Sequence, residues 1–451
     1  MNDRLHVVER FAAFAETFRT QPLPAEALHH AKRAVIDWHA AVFPGAVMAP
    51  ATLLERALAE ELDRGGARLA LGRRATVRAA ALINGAAAHS AEVDDIFRDG
   101  IYHPGAPTIA AALALAQANR APGETFLRAV IVGYEISTRI AVAMGRAHYR
   151  YWHNTGTIGC FGACAAAAEL LGLDRPRFAH ALATAATFSA ALQQAMRGDS
   201  MSKPLHAGNA AQAGLTAALA AREGVTGSLD VLEGEAGYGR AMGYDGSAVG
   251  PDWDQALANL GSEFNVTRMT FKNHTCCGHT FAAIDGALAL KAKMGVDTGE
   301  IERVRVGTYK AALDVAGIEQ PRTAAEARFS LKYVVATALT GGSVRFAAFE
   351  PARLEDPATR ALMERIEVSL DPELDAAFPR QRAARVAIGA SGGRSAEWLQ
   401  PTRIGDPDAP LADRQLDDKY LELAVPVLGE APARSLLERL WALETAPDLG
   451  E

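Results

Sequence analysis

Apolar positions in the first 260 residues recur at helical spacing. PAEALHHAKRAVIDWHAAV opens after a proline and repeats its apolar residues every three or four positions, as a helix with one buried face does. The same spacing predicts helices over 50–64, 75–91, 106–119, 124–145, 158–171, 176–196 and 208–223. The breaks between them carry Gly, Pro or Asp, as in LGLDRPR and REGVTG. No strand alternation is read in this region. Stretches such as Ala181 to Met196 are uncharged but rich in Ala, Thr, Ser and Gln. They are too short and too poor in Leu and Ile for a membrane span, and read as buried helices packed through small side chains.

Near residue 265 the period changes. VTRMTFK, IERVRVGTY, IEVSLD and RAARVAIG alternate as strands do, with helical patterns at 279–294, 329–341 and 355–366 between them. After PTRIGDPDAP the helical pattern returns in DDKYLELAV and ARSLLERLWALE. The predicted fold is mainly α with an α+β insertion. A large all-helical domain is built from residues 1–265 and 401–451, and a smaller α+β domain spans 266–400.

Composition narrows the function. The chain has 451 residues, 49% hydrophobic and 22% charged, which suits a globular enzyme. A net charge of −7 with no basic block argues against a nucleic-acid partner, although the local site decides whether an anion binds. Four cysteines, Cys160, Cys164, Cys276 and Cys277, are too few for a disulfide scaffold and predict a reducing, cytoplasmic setting. MNDRLHVVERFAAF carries Glu9 and no long apolar core, so it does not read as a signal peptide.

Candidate chemistry concentrates where basic or imidazole side chains precede Ala- and Gly-rich helices. The segments are His103-Pro104-Gly105, His153-Asn154-Thr155-Gly156-Thr157 and Lys203-Pro204-Leu205-His206. Helix N-termini present unpaired N–H groups that suit a carboxylate or phosphate, and His or Lys placed there also moves protons. HSAEVDDIFRDGIYHPG sets Glu92, Asp94 and Asp95 at the end of one helix and His103 at the start of the next. Carboxylates beside an imidazole orient it and raise its basicity, while helix capping would use the same acids. The glycines after His153 fit tight helix packing around a structural histidine as well as a ligand site. Lys203 has buried-looking flanks, which fit either a base of lowered pKa or a carboxylate partner.

FKNHTCCGHTFAAIDGAL invites a zinc reading through His274, Cys276, Cys277 and His279. Four ligands within six residues, two of them adjacent, do not easily wrap one tetrahedral ion. The preferred reading is a strand-to-helix turn that presents Lys272 and polar groups. LEGEAGYG lacks the Lys-Ser/Thr of a phosphate loop, and no Gly-x-Ser-x-Gly elbow appears.

Taken in order, HSAEVDD…HPGAPTIAAALALA, WHNTGTIGCFGACAAAAELLGLD, KPLHAGNAAQAGLTAALAAREGVTG, LEGEAGYG and EARFSLKYVVATAL resemble the 2-methylcitrate dehydratase (MmgE/PrpD) family from about residue 30 to 430. The resemblance implies a metal-free, cofactor-free homodimer with a helical domain, an α+β lid domain and a cleft between them. It implies chemistry beside a carboxylate of a small di- or tricarboxylic acid: dehydration of 2-methylcitrate, decarboxylation of cis-aconitate or epimerisation of iminodisuccinate. By position it makes His103, His153, Lys203 and Asp94 catalytic, and Glu92, Asp95, His206, Lys272 and His279 substrate-binding. Family members often carry Asp at Glu92 and His at Phe281, and Tyr309 is a candidate for the tyrosine of decarboxylases. The expected activity is a lyase removing a proton α to a carboxylate and expelling water. An epimerase or a decarboxylase is the alternative within the family, and a zinc-binding module at 274–279 is the alternative of another class.

Overall fold

A computed structural model describes residues 5–196, 200–243 and 250–450, and the chain divides into two units. The larger unit runs to Thr270 and resumes at Ala412, and the smaller spans Phe271–Leu411. No helix among the described residues is long and apolar enough to cross a membrane.

Small side chains determine how the larger unit packs. The helices Val77–Ser90, Gly105–Ala118, Gly159–Leu170 and Ser202–Arg222 bury long runs of Ala and Gly. At the crossing of the first and last of these, a Cβ on Gly208 would lie 2.3 Å from the Leu82 carbonyl oxygen. Only glycine permits that approach, so backbones rather than large side chains meet there. The Val77–Ser90 helix starts at Thr76, whose hydroxyl accepts from the Ala79 N–H and donates to Glu61.

Several boundaries differ from the sequence expectation for identifiable reasons. The helix expected over 50–64 stops early, as Ala51–Ala57 and a 3₁₀ turn at Ala59–Glu61. The following LDRGGAR forms strand β1 (Leu62–Arg68), which pairs antiparallel with β2 (Arg74–Ala75). Asp63 and Gly65 at positive φ cannot continue a helix, so this region does contain a short sheet. VTRMTFK is not a strand. Asn265–Arg268 is a 3₁₀ turn, and Thr270 makes only an isolated bridge with Ile96. The Asn265 N–H donates to Glu135 (2.7 Å), which takes one backbone donor from any ladder, and its side-chain amide donates to Thr138 (3.0 Å) and fixes the turn. The helix expected over 176–196 ends at Phe188, and 193–196 is a separate 3₁₀ turn. The helix expected over 208–223 begins at Ser202, so Lys203 and His206 lie inside its first turns rather than before it. Pro204 fits there because early helical N–H groups have no intrahelical acceptor.

The smaller unit carries a four-stranded sheet in the order β4-β3-β5-β6, where β3 is Ile301–Thr308, β4 Ile366–Leu370, β5 Ala384–Ala390 and β6 Arg394–Gln400. The β3–β4 pair is parallel and the other two pairs are antiparallel. β5 alternates buried and half-buried positions and sends Val386 and Ile388 into a core shared with the helices Phe281–Met294 and Leu331–Gly341. β6 was not expected: RSAEWLQ is a polar edge strand without a run of buried apolar residues.

Candidate active site

The Val77–Ser90 helix ends one residue after His89, and a loop carries the acids to His103, just before the Gly105–Ala118 helix. Asp95 fastens the end of this loop. Its two oxygens accept from the Gly105 N–H (3.0 Å) and the Tyr134 hydroxyl (2.8 Å). A Cβ on Gly105 would lie 2.8 Å from both Asp95 Oδ1 and the Tyr134 hydroxyl, so glycine is needed for this clasp. Burial, then Asp37 and Asp94, push the Asp95 carboxyl well above the usual range. Asp95 is 2% exposed with both oxygens engaged, so it braces the helix start, and the expectation that it contacts substrate is corrected. A second brace comes from the C-terminal return. Lys419 donates to Asp37 (2.5 Å) and to the carbonyl of Val93 (2.7 Å), between Glu92 and Asp94.

Four imidazoles converge behind this loop. His89 Nδ1 lies 2.6 Å from Asp94 Oδ2, and His103 Nδ1 lies 3.2 Å from the same oxygen. The His89 ring meets His103 edge-on at 4.8 Å and stacks on His153 at 5.4 Å. His153 Nδ1 is in turn 3.1 Å from His206 Nδ1. A carboxylate only accepts, so His89 donates from Nδ1. A neutral His103 turned toward the same oxygen carries its proton on Nδ1 and keeps its Nε2 lone pair. Burial, then the charges of His89, Lys203, His103 and His206, hold His153 well below the usual histidine pKa. Burial and His89 lower His206 as well. A neutral His153–His206 pair shares one N–H between the facing nitrogens, one donating and the other accepting.

Exposure grades across the cluster. The side chains of His89 and His153 are sealed at 0% and 3%, whereas those of His103, Lys203 and Glu92 are 16%, 24% and 38% exposed. His206 is half-buried. The groups able to meet a ligand are therefore His103, Lys203, His206 and Glu92, with His89, Asp94 and His153 behind them. Lys203 is ion-paired and hydrogen-bonded to Glu92. Burial pulls its ammonium down, but Glu92 and Asp94 outweigh that and hold Lys203 above the usual lysine value. Of the two sequence readings of Lys203, the carboxylate partner holds and the lowered-pKa base does not. Glu92 takes a left-handed φ of 59°, which turns it out of the preceding helix.

Sequence reasoning assigned no role to His89, the residue that joins Asp94 to His103 and His153. A legible signal was its place at the start of the acidic segment, five residues before Asp94 on an otherwise apolar helix face. His89, Asp94 and His103 are also the only set of three or more His, Cys, Asp or Glu among the described residues whose ligand atoms lie within 4.8 Å of one another.

The smaller unit keeps its histidines apart. His274 Nε2 lies 2.8 Å from Asp285, whose other oxygen accepts from the Ile404 N–H. Cys276 contacts the Thr280 hydroxyl, and burial pushes its thiol above the usual range. His279 Nδ1 lies 2.9 Å from the Tyr309 hydroxyl. Burial, then Arg382 and Arg403, lower His279 to about 4. His274, Cys276 and His279 use different partners, and among the described residues no three ligand atoms gather at 274–279, so the zinc-module reading is corrected. Lys272 is buried in this unit, and Phe281 is fully buried under the His274 ring. Burial raises Tyr309 to about 12, against the pull of Arg382 and Arg403.

Comparison with known proteins gives the family. The MmgE/PrpD N-terminal domain matches residues 9–248 and the MmgE/PrpD C-terminal domain residues 274–444. The chain is 26% identical over 466 residues to the cis-aconitate decarboxylase-like protein oryM of Aspergillus oryzae, covering 99% of this chain and 96% of that protein. It is 25% identical over 385 residues to cis-aconitate decarboxylase of Homo sapiens, covering 82% and 77%. It is 24% identical over 468 residues to cis-aconitate decarboxylase of Aspergillus terreus, covering 99% and 95%. With both domain patterns matched in order across most of its length, the chain belongs to the MmgE/PrpD family of small carboxylic-acid lyases.

Proposed function

We propose that the protein is a lyase that moves a proton at a carbon beside a carboxylate of a small di- or tricarboxylic acid. The carrying observation is the Asp94 oxygen shared by His89 and His103, next to the Lys203–Glu92 pair. Asp94 engages the Nδ1 side of the partly exposed His103 ring, and Nε2 takes the proton. Lys203, cationic at neutral pH, clamps the carboxylate and stabilises the charge that develops on it. The His103 imidazolium returns that proton to the leaving hydroxyl, and neutral His206, held by His153, orients the leaving group. Expulsion of water, as from 2-methylcitrate, is the first reading. Each tenfold of rate asks about 1.4 kcal/mol of this arrangement. The names of the relatives favour a second reading, loss of a carboxyl group from cis-aconitate, which uses the same cationic clamp and a proton delivered to carbon. Epimerisation keeps the first step and returns the proton to the other face. The resemblance supports a cytoplasmic homodimer for the working enzyme, which sedimentation tests directly for the dimer.

Proton NMR in heavy water with 2-methylcitrate, citrate, cis-aconitate and the iminodisuccinate isomers tests the proposal. Solvent deuterium beside a carboxylate is expected. An alkene product marks the dehydratase, a lost carboxyl the decarboxylase and an inverted centre the epimerase. No incorporation and no product from any of these acids would overturn it.

A further inference from the structure

The cluster that serves proton transfer also has the donor set of a transition-metal site. We propose that His89, Asp94 and His103 bind one divalent cation of the zinc class, as an inhibitor and not as a cofactor. Two imidazoles and one carboxylate suit Zn²⁺ or Co²⁺ in preference to the all-oxygen sets of Mg²⁺ and Ca²⁺. Both Nδ1 atoms already converge on a single oxygen, Asp94 Oδ2, at 2.6 and 3.2 Å. Tetrahedral ligands bonded to zinc at about 2.0–2.1 Å lie about 3.3 Å from one another. The His103–Asp94 separation has that value now, and the His89–Asp94 separation reaches it by opening about 0.7 Å as the ion takes the place of the shared hydrogen. His89 and Asp94 are sealed, while the His103 side chain is 16% exposed, which gives the ion an approach.

Bond accounting explains why the ion inhibits. Each Nδ1 lone pair forms a bond to the cation, so the proton that a neutral imidazole carries on Nδ1 moves to Nε2. No proton is lost from a neutral ring, but His103 Nε2 becomes an N–H donor and can no longer accept a proton from carbon. His89 Nε2, buried and without a hydrogen-bond partner among the described residues, becomes a donor in the same way. The inhibitory consequence rests on the lyase reading above, whereas binding and the tautomer change do not.

The test uses the untagged full chain, stripped with EDTA and titrated with Co²⁺ alone, then with Zn²⁺ in competition. Visible Co²⁺ absorption saturating at one equivalent is expected, together with movement of the His103 proton to Nε2 in long-range ¹H–¹⁵N spectra on adding Zn²⁺. Asp94→Asn, nearly the same shape, and His89→Gln should each weaken binding at least about tenfold, as loss of a ligand does. Circular dichroism establishes that both variants are folded. His29→Gln, at an exposed imidazole outside the site, should leave the titration unchanged. Absence of Co²⁺ bands, or full binding in folded Asp94→Asn and His89→Gln proteins, would overturn the proposal. If no acid in the NMR panel reacts, the lyase reading fails by itself and the titration still decides the site.

Discussion

Lys203 and Asp94 are one group apart in the cluster and do different work. Replacing Lys203 by Ala removes a cation that Glu92 and Asp94 hold charged. Turnover should fall at least about 100-fold in kcat, the cost of losing one preorganised charge at a reacting carboxylate, with the fold intact. Steady-state kinetics beside a circular dichroism spectrum checks this, and unaltered kcat would remove Lys203 from the mechanism. Asp94→Asn keeps the shape but replaces the carboxylate whose Oδ2 faces both His89 and His103 with a neutral amide. The proton on His103 is then free to leave Nδ1, and kcat should fall by at least about tenfold with little change in KM. At this scale the sequence was informative about residue type and poor about partnership. His103, His153 and Lys203 stood out because each opens an Ala- or Gly-rich segment. Nothing local to Lys203 showed that Glu92, 111 positions away, would answer it. Nor did Asp95 reveal by its neighbours that Tyr134 and Gly105 would consume both its oxygens.

Elements hold these residues by braces that cross long stretches of chain. Lys419, on the Asp413–Leu428 helix, grips Asp37 and the Val93 carbonyl from the far end of the sequence. Lys419→Met takes the ammonium away from a buried carboxylate and should cost about 3–5 kcal/mol in urea unfolding. Combining it with Asp37→Leu should recover most of that loss, and a double variant no more stable than the single would count against the ion pair as the cause. Gly105→Ala places a methyl 2.8 Å from Asp95 Oδ1 and the Tyr134 hydroxyl. The clasp must open, at a cost of about 1–3 kcal/mol, and kcat should drop because His103 is two residues away. Periodicity found most helices and β3, β4 and β5, since amphipathic runs carry their own burial pattern. It missed β1 and β6, whose residues are mostly exposed, and it read VTRMTFK as a strand because Glu135 and Thr138 were not yet in view.

Across the whole molecule, buried histidines make stability depend on pH. His148 is fully buried, with Nδ1 on the Met242 carbonyl and Nε2 on the Thr157 hydroxyl, and burial lowers its pKa to about 4. Burial likewise lowers His39 and His279 to about 4, and His153 and His206 shift in the same direction. A lowered histidine pKa means that the unfolded chain binds more protons between about pH 6.5 and 4. Stability is therefore complete above about pH 6.5 and is lost as pH falls toward 4. His148 alone should account for roughly 3 kcal/mol across that window. Urea midpoints at pH 7, 5.5 and 4.5 should fall in that order, and a flat series would show that these imidazoles are not buried neutral. By itself the sequence determined a helical chain with an α+β insertion, its family, and which residue types could carry acid–base chemistry. Those follow from local periodicity, composition and ordered motifs. Only the tertiary structure decided which of those side chains meet, that His89 links them, that Asp95 is a brace, and that Lys203 stays charged. Burial and charge pairing depend on groups brought together from distant positions, and no short stretch of sequence contains both halves of such a pair.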